Sequence, residues 1–314
     1  MPEVSVIIPN YNHAVYLTQR IDAVLAQSYR DFEVIILDDC STDHSRAIIE
    51  EYREDVRVQA IIYNDANSGG PFTQWKKGIE VASGKYIWIA ESDDWCEPSL
   101  LATLMAAFTN NKECVMAYVQ THTVHNNDII QTSVYPKLAD YMDGKEYIQK
   151  HLAAQCAIWN ASMLLFKKDC YYKVSERFTK FKMCGDWQFY IELAAQGQVF
   201  ISGKVLNYFR NHDKDVSGKM YRTGANYIEE IDILTGLINA SLITIEEFKK
   251  HILTKYLFFL AARNGFTSEM NNVIEREFFN ANGLNLKGFL VNNSRRVLIK
   301  ARIKRRLNIL LDNY

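Results

Sequence analysis

The segment "GKYIWIAESDDWCEPSL" (residues 84–100) contains a short apolar run that is followed at once by Glu91, Asp93 and Asp94. Like charges repel, and a carboxylate at the end of a buried strand is costly unless something neutralises it. Adjacent carboxylates at such a place suit a divalent cation, Mg²⁺ or Mn²⁺, that also holds phosphate oxygens. The alternative is a solvated acidic turn in which Asp94 or a neighbour caps the next helix.

The segments around this run alternate between strand-like and helix-like patterns. Runs typical of strands occur at 4–8, 32–37, 56–63 and 85–90, and amphipathic helical patterns lie between them. This alternation predicts an α/β fold with a mainly parallel sheet sandwiched by helices. The runs do not alternate in polarity, which indicates strands that are buried on both faces.

The loops that follow these strands are expected to share one edge of the sheet, where such sheets bind ligands. They read "PNYN" (9–12), "DDCSTD" (38–43), "NDANSGG" (64–70) and "ESDDW" (91–95). Asp39 is placed to accept hydrogen bonds from a ribose or a base, or else to stabilise its turn together with Ser41. We favour the ligand role because Asp39 lies on the same predicted edge as Asp93.

The composition is that of an ordinary globular protein. Of 314 residues, 48% are hydrophobic and 23% are charged, with a formal net charge of −1. The six cysteines include no C-x-x-C pair and are typical of thiols in a reducing compartment. We see no signal peptide and no window with the roughly 18–20 apolar residues of a membrane span. We therefore expect a protein that is cytoplasmic or attached to a membrane surface.

Several common site motifs are absent from the sequence. No G-x-G-x-x-G follows the first strand and no G-x-x-x-x-G-K-[ST] occurs, which excludes the dinucleotide fingerprint and the P-loop. G-x-S-x-G and H-E-x-x-H are also absent. Any phosphate chemistry is therefore expected to come from a metal and not from a glycine cradle.

Three segments carry a resemblance to a known family. They read "VSVIIPNYNHAVYLTQRIDAVLAQSYRDFEVIILDDCSTDHS", "NSGGPFTQWKKGIEVASGKYIWIAESDDW" and "GDW", and they resemble the family-2 inverting glycosyltransferases of the GT-A fold, of the bacterial surface-polysaccharide type. The resemblance implies a Rossmann-like glycosyltransferase domain over 1–217, with a nucleotide-sugar half (1–112) and an acceptor half (113–217). Residues 218–314 would then form a helical C-terminal region with a basic amphipathic tail.

The resemblance implies roles for residues around the nucleotide. Asp94 would be the metal ligand, and Asp93 would contact the ribose or belong to the metal shell. Asp39 would read the uracil ring. Pro9 and Tyr11 would lie against the base, with Tyr11 stacking on it.

It also implies roles nearer to the reaction. Asp186, in "GDW", would be the general base that takes the proton of the acceptor hydroxyl, and its alternative is a simple N-cap. Trp187 would stack on the acceptor sugar or belong to the core. In "YFRNHDKDVS" (208–217), His212 would approach the metal or the diphosphate, and Arg210 would hold phosphate.

Two positions depart from the pattern of the family. Trp75 stands where members commonly have an arginine that contacts the diphosphate, so either Lys76 or Lys77 takes its place or the contact is lost. Glu91 stands where many members have aspartate, and we do not expect it to bind the metal directly.

The C-terminal segment is strongly basic, with eight Lys or Arg and one acid in residues 287–314. In "SRRVLIKARIKRRLNILL" (294–311), one helical stripe is apolar, and basic residues crowd the remaining surface. The stripe consists of Ile299, Ile303, Leu307 and Leu310. The pattern predicts a helix on an anionic membrane surface. The alternative is a terminal helix that is docked on the domain and has a solvated basic face.

The resemblance thus implies an inverting glycosyltransferase dependent on Mn²⁺ or Mg²⁺. It would transfer a hexose, with glucose or galactose favoured, from a UDP-sugar to a lipid-linked (polyprenyl diphosphate) sugar acceptor. The product would be a β-linkage in O-antigen or another surface polysaccharide. The expected location is the inner face of the cytoplasmic membrane, without a nucleic-acid partner.

Two alternatives remain at this point. One is a sugar-phosphate nucleotidyltransferase, which "PNYN" disfavours because it is not glycine-rich. The other is a non-catalytic module that binds a nucleotide-sugar or a polysaccharide. The presence of Asp39, Asp93, Asp94 and Asp186 together argues against it.

Overall fold

The computed structural model describes residues 1–212 and 223–311, with side chains described up to residue 299. The chain divides into two compact units, Met1–Asp213 and Lys214–Tyr314. The predicted domain boundary between residues 217 and 218 falls outside the described residues and stays a prediction.

In its described residues, the first unit is built on one sheet of ten strands with helices around it. The strands are β1 (Val4–Asn10), β2 (Phe32–Asp38), β3 (Val58–Tyr63), β4 (Tyr86–Ile89), β5 (Trp95–Cys96), β6 (Cys114–His125), β7 (Asp128–Thr132), β8 (Ala139–Asp143), β9 (Leu164–Lys167) and β10 (Gln198–Arg210). The helices are α1 (Ala14–Leu25), α2 (Ser45–Glu51), α3 (Pro71–Val81), α4 (Leu100–Asn110), α5 (Gly144–Tyr147), α6 (Lys168–Tyr171) and α7 (Gly185–Ala194).

The sheet has the strand order β3-β2-β1-β4-β9-β6-β10-β5, with β7 on β6 and β8 on β10. The first four strands are parallel, as the alternating pattern predicts. β9 runs antiparallel to both β4 and β6 and joins the two halves into one sheet. The predicted α/β architecture is confirmed, and the structure adds antiparallel strands in the second half.

The central strands are buried on both faces, as their continuous apolar sequence predicts. Every residue of β1 and of β2 is buried. The approach to β4 is especially tight, because a Cβ on Gly84 would lie 2.6 Å from the backbone nitrogen of Ser5. The Gly84 N–H instead donates to Ser5 Oγ (2.8 Å). Glycine is therefore required for this contact between β1 and the start of β4.

The parallel pairing brings the carboxyl ends of β1, β2 and β4 to one edge of the sheet. The end of β10 lies at the same edge, although β10 is not a neighbour of β4 in the sheet. Its residues Asn207 and Tyr208 pair with β5, which directly follows the acidic stretch. Four segments that are distant in sequence therefore meet around Asp93 and Asp94.

The second unit is helical in its described residues. Its helices are α8 (Ala225–Asn239), α9 (Ile245–Ala262), α10 (Ser268–Phe279) and α11 (Lys287–Leu311). Aromatic rings pack between them, including Tyr227, Tyr256, Phe259 and Phe278. Within residues 1–212 and 223–311, no helix has both the length and the apolar character needed to span a bilayer.

Candidate functional site

The carboxylate of Asp94 lies inside the protein, where the residue is 1% exposed. It accepts hydrogen bonds from Asn160 Nδ2, from Ser162 Oγ (2.7 Å) and from the backbone N–H of Arg210 (3.0 Å). Burial, and after it the charge of Asp93, raises the pKa of Asp94. Both oxygens are engaged by the protein, so Asp94 ties β10 to the end of β4. Its predicted role as the metal ligand stays a prediction.

Arg20 supplies the buried positive charge behind the acidic stretch. It is 0% exposed although it lies on α1, beside apolar residues such as Leu17 and Ile21. Its Nε donates to the backbone oxygen of Glu91 (2.8 Å), and a terminal nitrogen donates to Ser162 Oγ (3.0 Å). The same nitrogen lies 3.9 Å from an oxygen of Asp94. This guanidinium compensates the buried carboxylate.

Glu91 is held apart from the other two carboxylates. Its Oε1 accepts a hydrogen bond from the indole N–H of Trp75 (2.7 Å), and its backbone N–H donates to Ser162 Oγ (3.0 Å). Burial, followed by the charge of Asp93, raises the pKa of Glu91 to about 8. The raised pKa favours the protonated form of Glu91, and that form lowers the repulsion among the three carboxylates. The expectation that Glu91 does not bind the metal directly stays a prediction.

Asp93 lies between two histidines. His212 Nε2 is 3.1 Å from Asp93 Oδ2. His13, at the start of α1, also lies close to Asp93. One ligand atom from each of the three residues lies within 4.8 Å of the others. Burial opposes ionisation of Asp93, but the His212 hydrogen bond and the charge of His13 hold its pKa below the ordinary value. A carboxylate with two imidazoles is a donor set that fits a divalent cation.

The guanidinium of Arg210 lies between two aromatic rings, with its Cζ 4.4 Å from the ring centre of Tyr16 and 4.5 Å from that of Trp95. Its Nε donates to the backbone oxygen of Asp93 (2.8 Å), and NH2 donates to Gln19 Oε1 (2.7 Å). Arg210 thereby fixes the backbone beneath the Asp93 carboxylate. The predicted contact of Arg210 with a diphosphate stays a prediction.

The residues that the sequence places near a base lie at the ends of β1 and β2. Asp39 is 3% exposed and accepts hydrogen bonds from Asn64 Nδ2 (2.6 Å), from the backbone N–H and hydroxyl of Ser68, and from Gln74 Nε2 (3.0 Å). It therefore organises the loop after β3. Pro9 is buried within β1, whereas Tyr11 is 46% exposed at the edge of the sheet.

Asp186 lies in the first turn of α7 and is half-buried, and its Oδ1 accepts the backbone N–H of Trp187 (2.7 Å). Burial raises the pKa of the Tyr190 hydroxyl, and the charges of Asp186 and Glu91 raise it further. Trp75, which donates to Glu91, also packs against Phe189 of α7 with ring centres 6.0 Å apart, so this helix lies near the acidic stretch. Trp187 is 4% exposed and donates its indole N–H to Leu152 O (2.8 Å), so the structure favours the core alternative for Trp187.

A sequence model of the family described as "Glycosyl transferase family 2" matches residues 5–172, which is more than half of the 314 residues. The chain belongs to glycosyl transferase family 2. Members of this family are generally dependent on a divalent metal, and the donor set of His13, Asp93 and His212 fits such an ion. The resemblance seen in the sequence is thus confirmed at the level of the family.

Curated relatives and solved structures agree with this assignment. The poly(ribitol-phosphate) beta-N-acetylglucosaminyltransferase TarS of Staphylococcus aureus is 24% identical over 291 residues, covering 90% of this chain and 49% of that protein. The chondroitin synthase of Pasteurella multocida is 26% identical over 351 residues, covering 100% of this chain and 35% of that protein. The chain therefore spans half of the length of these relatives or less.

The crystal structure of S. aureus TarS 1–349 in complex with UDP-GlcNAc matches with a TM-score of 0.67 and 19% sequence identity. The match covers 89% of this chain and 81% of that one. At this identity the likeness shows the fold, and the predicted GT-A fold is confirmed.

The two lysines expected to replace a family arginine point to other partners in this family-2 chain. Lys76 Nζ pairs with Glu176, and Lys77 Nζ donates to Asn64 Oδ1. Trp75, which stands at the arginine position itself, is 3% exposed and donates to Glu91. The nucleotide-binding role of Lys76 stays a prediction.

Sequence reasoning overlooked several residues of the site, among them His13, Arg20, Asn160 and Ser162. Arg20 carried a signal, because a charged residue stands among the apolar positions of an amphipathic helix. His13 directly follows "PNYN" and so was already placed at the ligand edge. Ser162 carried none, because it lies about seventy residues beyond the acidic stretch and reaches it only in the folded sheet.

We expect Glu91→Gln to flatten the dependence of stability on pH. The pKa of Glu91 is about 8 in the folded protein and about 4.3 in an unfolded chain, so folding binds a proton between these values. The free energy of unfolding should therefore fall as pH rises from 6 to 8, by at least about 1 kcal/mol, and this fall should be smaller in the variant.

Chemical denaturation in EDTA at a series of pH values measures this difference, with Glu113→Gln as the control at an exposed glutamate. Parallel stability curves for the wild type and Glu91→Gln would show that Glu91 is already ionised in the folded protein.

Proposed function

We propose that this chain is an inverting glycosyltransferase that transfers a hexose from a UDP-sugar to a lipid-linked (polyprenyl diphosphate) sugar acceptor. The β-linked product would belong to O-antigen or another surface polysaccharide. One observation carries the proposal: Asp93 and His212, from the ends of β4 and β10, meet within 3.1 Å at the sheet edge that also holds Tyr11 and Asp39. That edge is where α/β sheets bind nucleotides.

The relatives support a UDP-sugar as the donor. TarS, which is named as a poly(ribitol-phosphate) beta-N-acetylglucosaminyltransferase, has been crystallised with UDP-GlcNAc and with UDP, and another relative is named as a chondroitin synthase. Glucose and galactose remain the favoured hexoses for this chain. The TarS complex makes an N-acetylated hexose the first competitor in any test.

The proposed donor site combines residues that contact the base with residues that hold the cation. The exposed ring of Tyr11 would stack on the base, and Asp39 would contact the uracil or hold the loop that does. Asp93 and His212 would hold Mn²⁺ or Mg²⁺. When bound, such an ion neutralises the diphosphate leaving group.

The proposed acceptor site centres on Asp186. Its carboxylate would take the proton of the acceptor hydroxyl while that oxygen attacks the anomeric carbon. The bond from the anomeric carbon to the diphosphate breaks on the opposite face, so an α-linked donor gives a β-linked product. The first turn of α7 suits an anionic base, because helix N-termini stabilise negative charge.

We also propose that α11 attaches the protein to the inner face of the cytoplasmic membrane. Within the described side chains, Arg295 and Arg296 are exposed, and so are the apolar residues Val297, Leu298 and Ile299. This combination suits an anionic bilayer surface. The apolar stripe beyond Ile299, with Ile303, Leu307 and Leu310, lies outside the described side chains.

Family membership bears on the two alternative functions that the sequence left open. Membership of glycosyl transferase family 2 argues against a sugar-phosphate nucleotidyltransferase. A non-catalytic binding module remains the competing outcome of the experiment that follows.

Incubating the full chain with UDP-glucose, UDP-galactose and UDP-GlcNAc, with and without a synthetic GlcNAc-diphosphate-lipid, should give metal-dependent transfer. UDP release should require Mn²⁺ or Mg²⁺ and stop in EDTA, since the leaving group needs the cation. If no donor is transferred or hydrolysed with either metal, while UDP still binds, the chain is a binding module and not an enzyme.

Asp186→Asn should lower the rate of transfer by about 10²–10⁴-fold, because the amide cannot accept the proton of the hydroxyl. The affinity for UDP and Mn²⁺ should stay unchanged, as measured by calorimetry. Asp169→Asn is the matched control, because Asp169 is an exposed aspartate in the first turn of another helix, α6. The N-cap of α7 is Cys184 and not Asp186, so a variant of Asp186 that keeps full activity would leave Asp186 only as a negative charge in the first turn of the helix.

A chain that ends at Ser294 should lose its affinity for anionic vesicles. The deletion removes seven Lys or Arg, each of which contributes about 1 kcal/mol near an anionic surface. Flotation with phosphatidylcholine vesicles, with and without phosphatidylglycerol, measures binding, and the melting temperature and UDP affinity serve as controls for folding. Undiminished attachment of the shortened chain would place the anchor elsewhere.

A further inference from the structure

The His13 side chain lies close to Asp93 and does not cap its own helix. His13 occupies the N-cap position of α1, yet its side chain makes no capping hydrogen bond. Its Nδ1 is instead hydrogen-bonded to Ser92 Oγ at 2.9 Å. The side chain therefore does not perform the usual task of a residue at this position.

The backbone before His13 is built to hold this position. Asn12 has a φ of 58°, a left-handed conformation that asparagine tolerates better than most residues. The turn is fixed on both sides, because the Asn12 N–H donates to Ser41 Oγ (2.9 Å) and the Thr42 N–H donates to Asn12 Oδ1 (2.8 Å). Backbone strain that the surroundings hold in place is common at ligand sites.

The two imidazoles approach Asp93 from different segments. The rings of His13 and His212 are nearly perpendicular, at 84°, with centres 5.5 Å apart, and both rings pack against Tyr16. Metal bonds of about 2.0–2.2 Å place neighbouring ligand atoms about 3 Å apart. Asp93 and His212 already have that spacing, and His13 offers a ligand atom within 4.8 Å.

We propose that His13 is a third protein ligand of the divalent cation, beside Asp93 and His212, and that the pair of imidazoles makes the site prefer Mn²⁺ to Mg²⁺. Imidazole nitrogen suits transition metals, whereas Mg²⁺ prefers oxygen ligands and keeps its water. The proposal rests on the cation site of the proposed function, but it concerns the ligand set and the choice of metal.

Binding of Mn²⁺ to the full chain without donor tests the proposal. Free Mn²⁺ is measured by electron paramagnetic resonance for the wild type, His13→Ala and His212→Ala. His44→Ala is the matched control, because His44 is an exposed histidine at the N-cap of α2 that also makes no capping bond. His13→Ala should weaken Mn²⁺ binding by at least about tenfold, His44→Ala should have no effect, and competition should show a smaller loss for Mg²⁺.

Spin-echo modulation of the bound Mn²⁺ gives a second readout that a merely structural role would not change. It should detect two imidazole nitrogens in the wild type and one in His13→Ala. If His13→Ala retains the affinity and the nitrogen count of the wild type, His13 is not a ligand. Melting in EDTA checks the fold, and His13→Gln, which keeps a polar group near Ser92, replaces the alanine variant if that one unfolds.

The outcome is separate from that for the proposed function. A wild type that binds Mn²⁺ through two imidazoles but transfers no sugar supports the ligand set and refutes the transferase. If the wild type transfers sugar and His13→Ala binds Mn²⁺ normally, the transferase is supported and His13 is refuted as a ligand. A wild type that binds no Mn²⁺ overturns the proposal about His13.

Discussion

The buried charge of Arg20 beneath the acidic stretch is the interaction on which the site depends. Its guanidinium contacts the backbone of Glu91, the hydroxyl of Ser162 and, at 3.9 Å, the carboxylate of Asp94. Without it, Asp94 would be a buried carboxylate lacking a positive neighbour, a situation that costs about 3–5 kcal/mol when one partner of such a pair is removed. The same cluster fixes the end of β10, because Asp94 also accepts the backbone N–H of Arg210.

The three carboxylates have different environments, although they lie within four consecutive residues, 91–94. Glu91, whose pKa is raised by burial, accepts a hydrogen bond from Trp75, Asp94 faces its buried donors, and Asp93 lies close to the two histidines. The two positions that depart from the pattern of the resembled family, Trp75 and Glu91, are hydrogen-bonded to each other. The longer side chain of Glu91 meets the indole N–H, so the two departures form one local arrangement.

Much of the fold could be predicted from the sequence. The continuous apolar runs of β1 and β2 and the intervening helical patterns gave the parallel half of the sheet. The second half could not be predicted in the same way, because β9 is only four residues long and pairs antiparallel with strands far away in sequence. The motifs likewise placed Asp93 and His212 at the site, but not the donors that surround Asp94.

The sequence by itself determined the family, the α/β alternation and the positions of the carboxylates at the ends of strands, because these depend on local patterns and motif spacing. Only the tertiary structure decided which carboxylate faces which partner. Adjacent residues such as Asp93 and Asp94 point in different directions, and their surroundings come from segments up to about 120 residues away. Burial and hydrogen bonding from those segments, and not residue type, give each carboxylate its own surroundings.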